Sequence, residues 1–236
     1  MTPKTTNSET LNVFSVNANG MKKKVDSLKY LLKHLSISLF TLQETKLSKR
    51  GKIKIDDFEI FEAFRKKGGG GTLIGAHLSL HPILIQEYSD IFELLVIEIK
   101  IEGREIHVIS GYGPQETWTL DEKMPFFTAL EEEVSKAELA GRAVLFCGDA
   151  NSKMGPEYIP GDPHDISEND KIIEGIIERH ALIVANGIKR KSKGVITRKR
   201  ITIDGEEISV IDLVLLSEDL VENVKEVIIY EEKNML

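Results

Sequence analysis

Three carboxylates stand beside apolar runs: Glu44 just past 37–42, Asp149 just past 143–147, and Asp212 inside the stretch SVIDLVLLS. At such points a buried scaffold can hold a carboxylate at a solvent-facing rim. Brought together, three of them make a hard, oxygen-only site. Mg²⁺ suits it, with Mn²⁺ as a substitute, because Mg²⁺ prefers carboxylates and water and leaves coordination places for phosphate oxygens. Asn17, Asn19 and Asn151 add oxygen ligands or donors without adding repulsion. Asp212 is the sharpest case, since an unpaired carboxylate in an apolar segment is costly and demands a partner or a proton. Any one acid or Asn at a strand end is in most proteins only a solvated turn, so the argument depends on the set.

The elements that must position these residues follow from periodicity. Strands are expected at 11–17, 37–42, 58–64, 72–78, 92–101, 105–110, 143–147, 182–185, 208–216 and 227–230. Leu28, Leu31, Leu32 and Leu35 recur at helical spacing, which predicts a helix over 22–34. A second helix is expected after Pro125, ending near Gly141, a third over 169–180 and a short acidic one over 218–223. The run 155–165 is read as a loop. Strands that follow one another without obligatory helices between them predict mixed sheets packed face to face with helices outside.

The chain has 236 residues, a hydrophobic fraction of 41% and a charged fraction of 29%, enough for a real core. A single domain over 11–236 is expected, with residues 1–10 as a frayed tail. Apolar runs break long before the roughly 18 residues of a membrane span. The single Cys147 excludes an internal disulfide framework and suits a reducing compartment. A net charge of −7 argues against binding nucleic acid by bulk charge. The stretch 189–200 nevertheless carries seven cations and no acid, among them Lys189, Arg190, Arg198, Lys199 and Arg200. Residues 22–24, 46–54 and 65–67 are also locally basic. Basic loops on an acidic chain suit a local footprint on a polyanion.

The ordered series NANG (17–20), LQETK (42–46), GYGPQ (111–115), GDANSKMG (148–155) and VIDLVL (210–215) resembles the motif set of the endonuclease/exonuclease/phosphatase superfamily. The stretches RKKGGGGTLI, IPGDPHDISEND and VITRKR to VIDLVL are most similar to endonuclease domains of jockey-like non-LTR retrotransposons. The resemblance implies an α/β four-layer sandwich of two mixed sheets, DNase I-like, that nicks double-stranded DNA and leaves a 3′-hydroxyl for a reverse transcriptase domain of the same polyprotein. It also implies a nuclear location and, as the simplest state, a monomer.

Carried over by motif, the resemblance makes Glu44 the principal metal ligand, with Asn19 nearby where many relatives have Asp. Asn17 would orient the site's groups, and Asp149, assisted by Asn151, would activate the attacking water. Tyr112 and Gln115 would hold the scissile phosphate, Asp212 would orient a catalytic His, and Thr197 beside Arg198 would touch the DNA backbone. Relatives end with a Ser-Asp-His motif that this sequence lacks. The expectation is therefore a C-terminal truncation and weak nicking, with His164 as the histidine to check. Competing readings keep the fold but act on a phosphomonoester, an inositol phosphate or an abasic site, or bind nucleic acid without catalysis. The tetraglycine 68–71 reads as a flexible loop without catalytic role. Trp118 and Tyr158 are expected to pack on their own loops, with stacking on a base the less common alternative.

Overall fold

The computed structural model describes residues 10–48, 52–65, 70–89, 91–164, 167–202 and 205–230. In chain order the first half contains β1 (Val13–Asn17), α1 (Val25–His34), β2 (Leu39–Gln43), β3 (Phe58–Ala63), β4 (Thr72–His77), β5 (Ile83–Tyr88), β6 (Glu93–Ile101) and β7 (Arg104–Tyr112). Then come α2 (Leu120–Leu139), β8 (Ala143–Asp149), α3 (Gly155–Tyr158), α4 (Glu168–Arg179) and β9 (Leu182–Val184). The last part holds β10 (Ser192–Lys193), β11 (Arg198–Thr202), β12 (Gly205–Ser209), β13 (Asp212–Ser217), α5 (Glu218–Val221) and β14 (Val227–Ile228).

Two mixed sheets result, one ordered β1-β2-β4-β3 and the other β5-β6-β7-β8-β13-β9. Alternation along each strand sorts its side chains between two cores. On β6, Leu95, Ile97 and Ile99 face the other sheet and meet Leu39, Ile74, Val108 and Leu145. Leu94 and Val96 on the same strand face outward and pack with Phe126, Phe127 and Leu130 of α2 and Ile173 and Ile176 of α4. A third core joins the outer face of the smaller sheet, through Phe14, Phe40 and Leu73, to Leu28 and Leu32 of α1. The order helix, sheet, sheet, helix is the four-layer α/β sandwich expected from the sequence.

Near one end the seam between the sheets turns polar. Gln43 Nε2 donates to Ser110 Oγ across the gap at 3.2 Å, and the hydroxyls of Thr72 and Ser110 share a hydrogen bond of 3.1 Å. Thr41 Oγ1 lies 2.8 Å from Ser15 Oγ and 3.3 Å from the Cys147 carbonyl.

Several elements differ from expectation. Helix α2 starts five residues before Pro125, because Thr119 and Glu122 form a reciprocal capping box that fixes its first turn. Strand β5 is added at a sheet edge; Ile83, Leu84 and Ile85 are all exposed, so it shows no alternation to read. The stretch 208–216 is divided between β12, in a hairpin with β11, and β13, in the large sheet. Within the expected loop 155–165, Gly155–Tyr158 forms one helical turn. Of the expected strand 227–230, only Val227 and Ile228 pair among the described residues, as β14 parallel to β10.

Candidate active site

Strand register brings the motif residues to one edge. Asn17 ends β1 opposite Gln43, the last residue of β2, so Glu44 is the next residue out. On the second sheet Tyr112 ends β7 opposite Asp149, the end of β8, and Asp149 faces Asp212 at the start of antiparallel β13. Side chains from both sheets therefore meet where the polar seam ends.

Asn17 ties the two halves together. Its Nδ2 donates to Glu44 Oε1 at 3.0 Å and to Asp149 Oδ2 at 2.9 Å, while its Oδ1 accepts from the Asn19 backbone N–H at 3.1 Å. Donors on one side and an acceptor on the other leave the amide a single sensible orientation. Asp149 Oδ1 accepts from the Asn151 N–H at 3.0 Å, and Asn151 Nδ2 donates to the Gly113 carbonyl at 2.8 Å. Gly113 is required here, since a Cβ on it would stand 2.3 Å from the Ala150 oxygen. Asn19, Glu44 and Asn151 all have positive φ (43°, 48° and 47°), a cluster of left-handed residues of the kind found where surrounding structure dictates geometry.

The charges are arranged unequally. Burial raises the Glu44 carboxyl, but hydrogen bonds from Asn17, Tyr112 and Lys46 outweigh it and hold the group below the ordinary range. Burial pushes Asp149 up, and the neighbouring Glu44 charge adds to it against the donors Asn17 and Asn151. Asp212 is raised well above the usual carboxylate value by burial and by Asp149, against Thr197 and Arg198. Its Oδ1 is buried without a hydrogen-bond partner among the described residues. The Tyr112 phenol is pushed up to about 12 by burial and by Glu44 and Asp149.

The donor set fits a hard cation. Glu44 Oε2 and Asn19 Oδ1 converge on the Lys46 ammonium, at 3.3 and 2.5 Å, so the two residues expected to bind metal already enclose a positive charge. All the candidate ligands are oxygens, as Mg²⁺ requires. Among the described residues no group of three His, Cys, Asp or Glu side chains is arranged to hold an ion alone.

Other expected residues fall differently. Gln115 is exposed on the loop after Tyr112. The Thr197 hydroxyl accepts from the N–H groups of Ile211 (2.9 Å) and Asp212 (3.2 Å), which sets the start of β13. Arg198 is exposed yet close enough to lower both Asp149 and Asp212. The basic run is divided rather than continuous: Lys191 donates to the Val221 carbonyl and Lys193 pairs with Glu226, while Lys189 and Arg190 are exposed. The side chains of Lys199 and Arg200 lie outside the described residues. His164 bonds Asp162 at 2.8 Å and not Asp212. His77, His107 and His180 are likewise engaged with Ser79, Glu133 and Glu138, and His34 stacks on Tyr30.

Some supporting residues had no role assigned from the sequence. Fully buried Glu93 pairs with Arg65 (2.7 Å) and accepts from the Gly71 N–H (3.1 Å). Carbonyls of Gly70 and Gly71, both at positive φ, accept from the N–H groups of Lys46 and Thr45. The end of the glycine run is thus a fixed support for the Glu44 segment; residues 68 and 69 lie outside the described ones. Asn169 donates to the carbonyls of Pro114 and Asn151, each at 2.9 Å. The signals were an acid beginning an apolar strand and an Asn two residues past a capping Ser, both too common to single out.

Two sheets sandwiched between helices, with an acidic and amide-rich site at one edge, make up a fold that the chain shares with several solved nucleases. The chain is similar to the endonuclease domain of TRAS1, a telomere-specific non-LTR retrotransposon, with TM-score 0.64, 17% identity, and 90% of this chain and 87% of that one covered. It is also similar to the AP endonuclease LMAP from Leishmania major (0.70, 14%, 89% and 79%) and to the 3′-5′ exonuclease NExo from Neisseria meningitidis (0.68, 16%, 90% and 89%). No family model and no curated protein matches the chain.

Proposed function

We propose that the protein hydrolyses phosphodiester bonds of double-stranded DNA in a divalent-ion-dependent reaction. The observation that carries this reading is Asn17 bridging Glu44 of one sheet to Asp149 of the other. Asp149, with its raised affinity for a proton, takes the proton of the attacking water, and Asn151 orients it. Tyr112, protonated at neutral pH, donates to a phosphate oxygen. Glu44, with Asn19, would hold the ion once Lys46 swings aside. Bound Mg²⁺, or Mn²⁺ in its place, supplies Lewis-acid neutralisation of the charge that rises on the phosphate. Arg198, with Lys189, Arg190 and the neighbouring Lys199 and Arg200, contacts the DNA backbone, and Gln115 the phosphate.

The water oxygen bonds to phosphorus as the P–O3′ bond breaks, and the leaving oxygen takes a proton from solvent. The product in this reading is therefore a nick with a 3′-hydroxyl and a 5′-phosphate, suited to extension by a reverse transcriptase domain of the same polyprotein in the nucleus. Conversion of supercoiled to nicked plasmid tests it. Wild type should nick weakly in Mg²⁺, since no described histidine meets Asp212, and stop in chelator, with Asp149→Asn inactive at unchanged melting temperature. Failure of wild type to nick in Mg²⁺ or Mn²⁺ while still binding DNA would reject the catalytic part.

A further inference from the structure

Asn151 takes a left-handed conformation (φ 47°), uncommon for any residue but glycine, and it is held there at three points. Its N–H donates to Asp149 Oδ1 (3.0 Å), its Nδ2 donates to the Gly113 carbonyl (2.8 Å), and its own carbonyl accepts from Asn169 Nδ2 (2.9 Å). The same Asn169 nitrogen donates to the Pro114 carbonyl (2.9 Å), so one amide ties the loop after Tyr112 to the loop after Asp149. With both donors spent on carbonyls, the orientation of that amide is fixed. Its Oδ1 is buried with no hydrogen-bond partner among the described residues. An apolar side chain would fill this wholly buried position without that cost, so packing does not account for an amide at 169.

Asn169 is the second residue of α4, whose first turn is closed by a reciprocal capping box between Ser167 and Asp170. Asp170 also accepts from the Ser152 hydroxyl, and Glu168 pairs with buried Lys123 of α2 at 2.6 Å. A turn fastened on both flanks holds its second residue still, and the two carbonyls must come to it.

We propose that Asn169 is a positioning residue of the cleavage site, which keeps Asn151 left-handed and so aims the Asn151 N–H at Asp149. The proposal rests on the DNA-cleaving reading and adds to it a buried residue that acts only through Asn151. Without this tie Asn151 relaxes, and Asp149 loses one of the two donors that oppose burial and the Glu44 charge. Glu44, Asp212 and Arg198, the charged groups that bear on Asp149, are left in place, so the proton affinity of Asp149 should rise.

The experiment compares the full chain with Asn169→Leu, which fills the site but deletes both donors, and with Glu168→Gln, which alters only the pair with Lys123 in the same turn. Each protein is read by single-turnover nicking of supercoiled plasmid in Mg²⁺, DNA affinity in chelator, melting temperature, and the Asp149 carboxyl carbon resonance of the metal-free protein against pH. Asn169→Leu should nick about 100-fold more slowly, the cost of a misplacement of about 1 Å, with DNA affinity kept. Its Asp149 midpoint should lie above the wild-type value of about 6, a shift that a purely structural role for Asn169 would not produce. Glu168→Gln should keep the wild-type rate and midpoint. Asn169→Ala decides by the same measures if the leucine variant does not fold. A folded variant at 169 with the wild-type midpoint, or with a rate within about threefold of wild type, overturns the proposal and leaves the nuclease reading standing. So does a Glu168→Gln protein that reproduces both changes. Absence of nicking by the wild-type chain in both Mg²⁺ and Mn²⁺ overturns both.

Discussion

Replacing Asn17 by alanine deletes two hydrogen bonds at once, to Glu44 and to Asp149, and leaves those carboxylates facing each other without a donor between them. Hydrogen bonds to charged groups contribute about 1.5–3 kcal/mol each. Asn17 is only half-buried, so the lower end applies and the pair amounts to about 3 kcal/mol. If that loss falls on the transition state, nicking slows roughly 150-fold. Asn17→Asp should be worse, because a third negative group replaces the donors. The assay is single-turnover nicking of supercoiled plasmid at saturating Mg²⁺, with melting temperature as the folding control. A folded Asn17→Ala protein that nicks within about threefold of wild type would show that the bridge is packing and not machinery.

Arg65→Leu strands the fully buried Glu93 carboxylate and should destabilise the protein by about 3–5 kcal/mol. Adding Glu93→Leu should recover most of that loss, and a double-mutant cycle by urea unfolding that shows simple additivity would contradict the pairing. Burial pushes Glu133 up, but hydrogen bonds from His107, Lys136 and Tyr88 overcome it and hold the carboxyl at about 2, against an ordinary 4.5. The folded-state value is depressed, so this stabilisation is fully present above about pH 4.5 and is lost as pH falls through about 2, with an upper bound of about 3 kcal/mol. The melting-temperature gap between wild type and Glu133→Gln should close across that window; a gap independent of pH would exclude the linkage.

The site was far more legible than its supports. Glu44, Asp149 and Asp212 each sit beside an apolar strand, a context that marks a carboxylate as out of place, and parallel or antiparallel register then brings strand ends together. The two inner sheets were readable for the same reason, since strands covered on both faces show unbroken apolar runs. Strand β5 escaped because an exposed edge strand carries no burial signal. Helix α2 was placed too late because Pro125 was taken as a boundary, while the stronger signal was the capping pair Thr119 and Glu122. The cationic run 189–200 read as one patch because charge composition carries no information on direction. In the fold the chain leaves the large sheet after β9, pairs with β14 through β10, comes near Asp149 at Arg198 in the separate β11–β12 hairpin, and rejoins the large sheet at β13. Ion pairs such as Arg65 with Glu93 join residues distant in sequence and leave no local trace.

The joint between the sheets has a further consequence. Deep in the sandwich the two faces meet through aliphatic side chains, which can slide or repack with modest loss. Just under Glu44 and Tyr112 they meet through Gln43, Thr72, Thr41 and Ser110, whose hydrogen bonds accept one alignment only. That end works like the key in a shaft coupling: it adds little grip but forbids rotation to any other setting. Sequence drift in the aliphatic part can therefore leave this alignment intact, whereas an apolar replacement at Gln43 removes its bond to Ser110 and should loosen the setting of the two sheets just under the site.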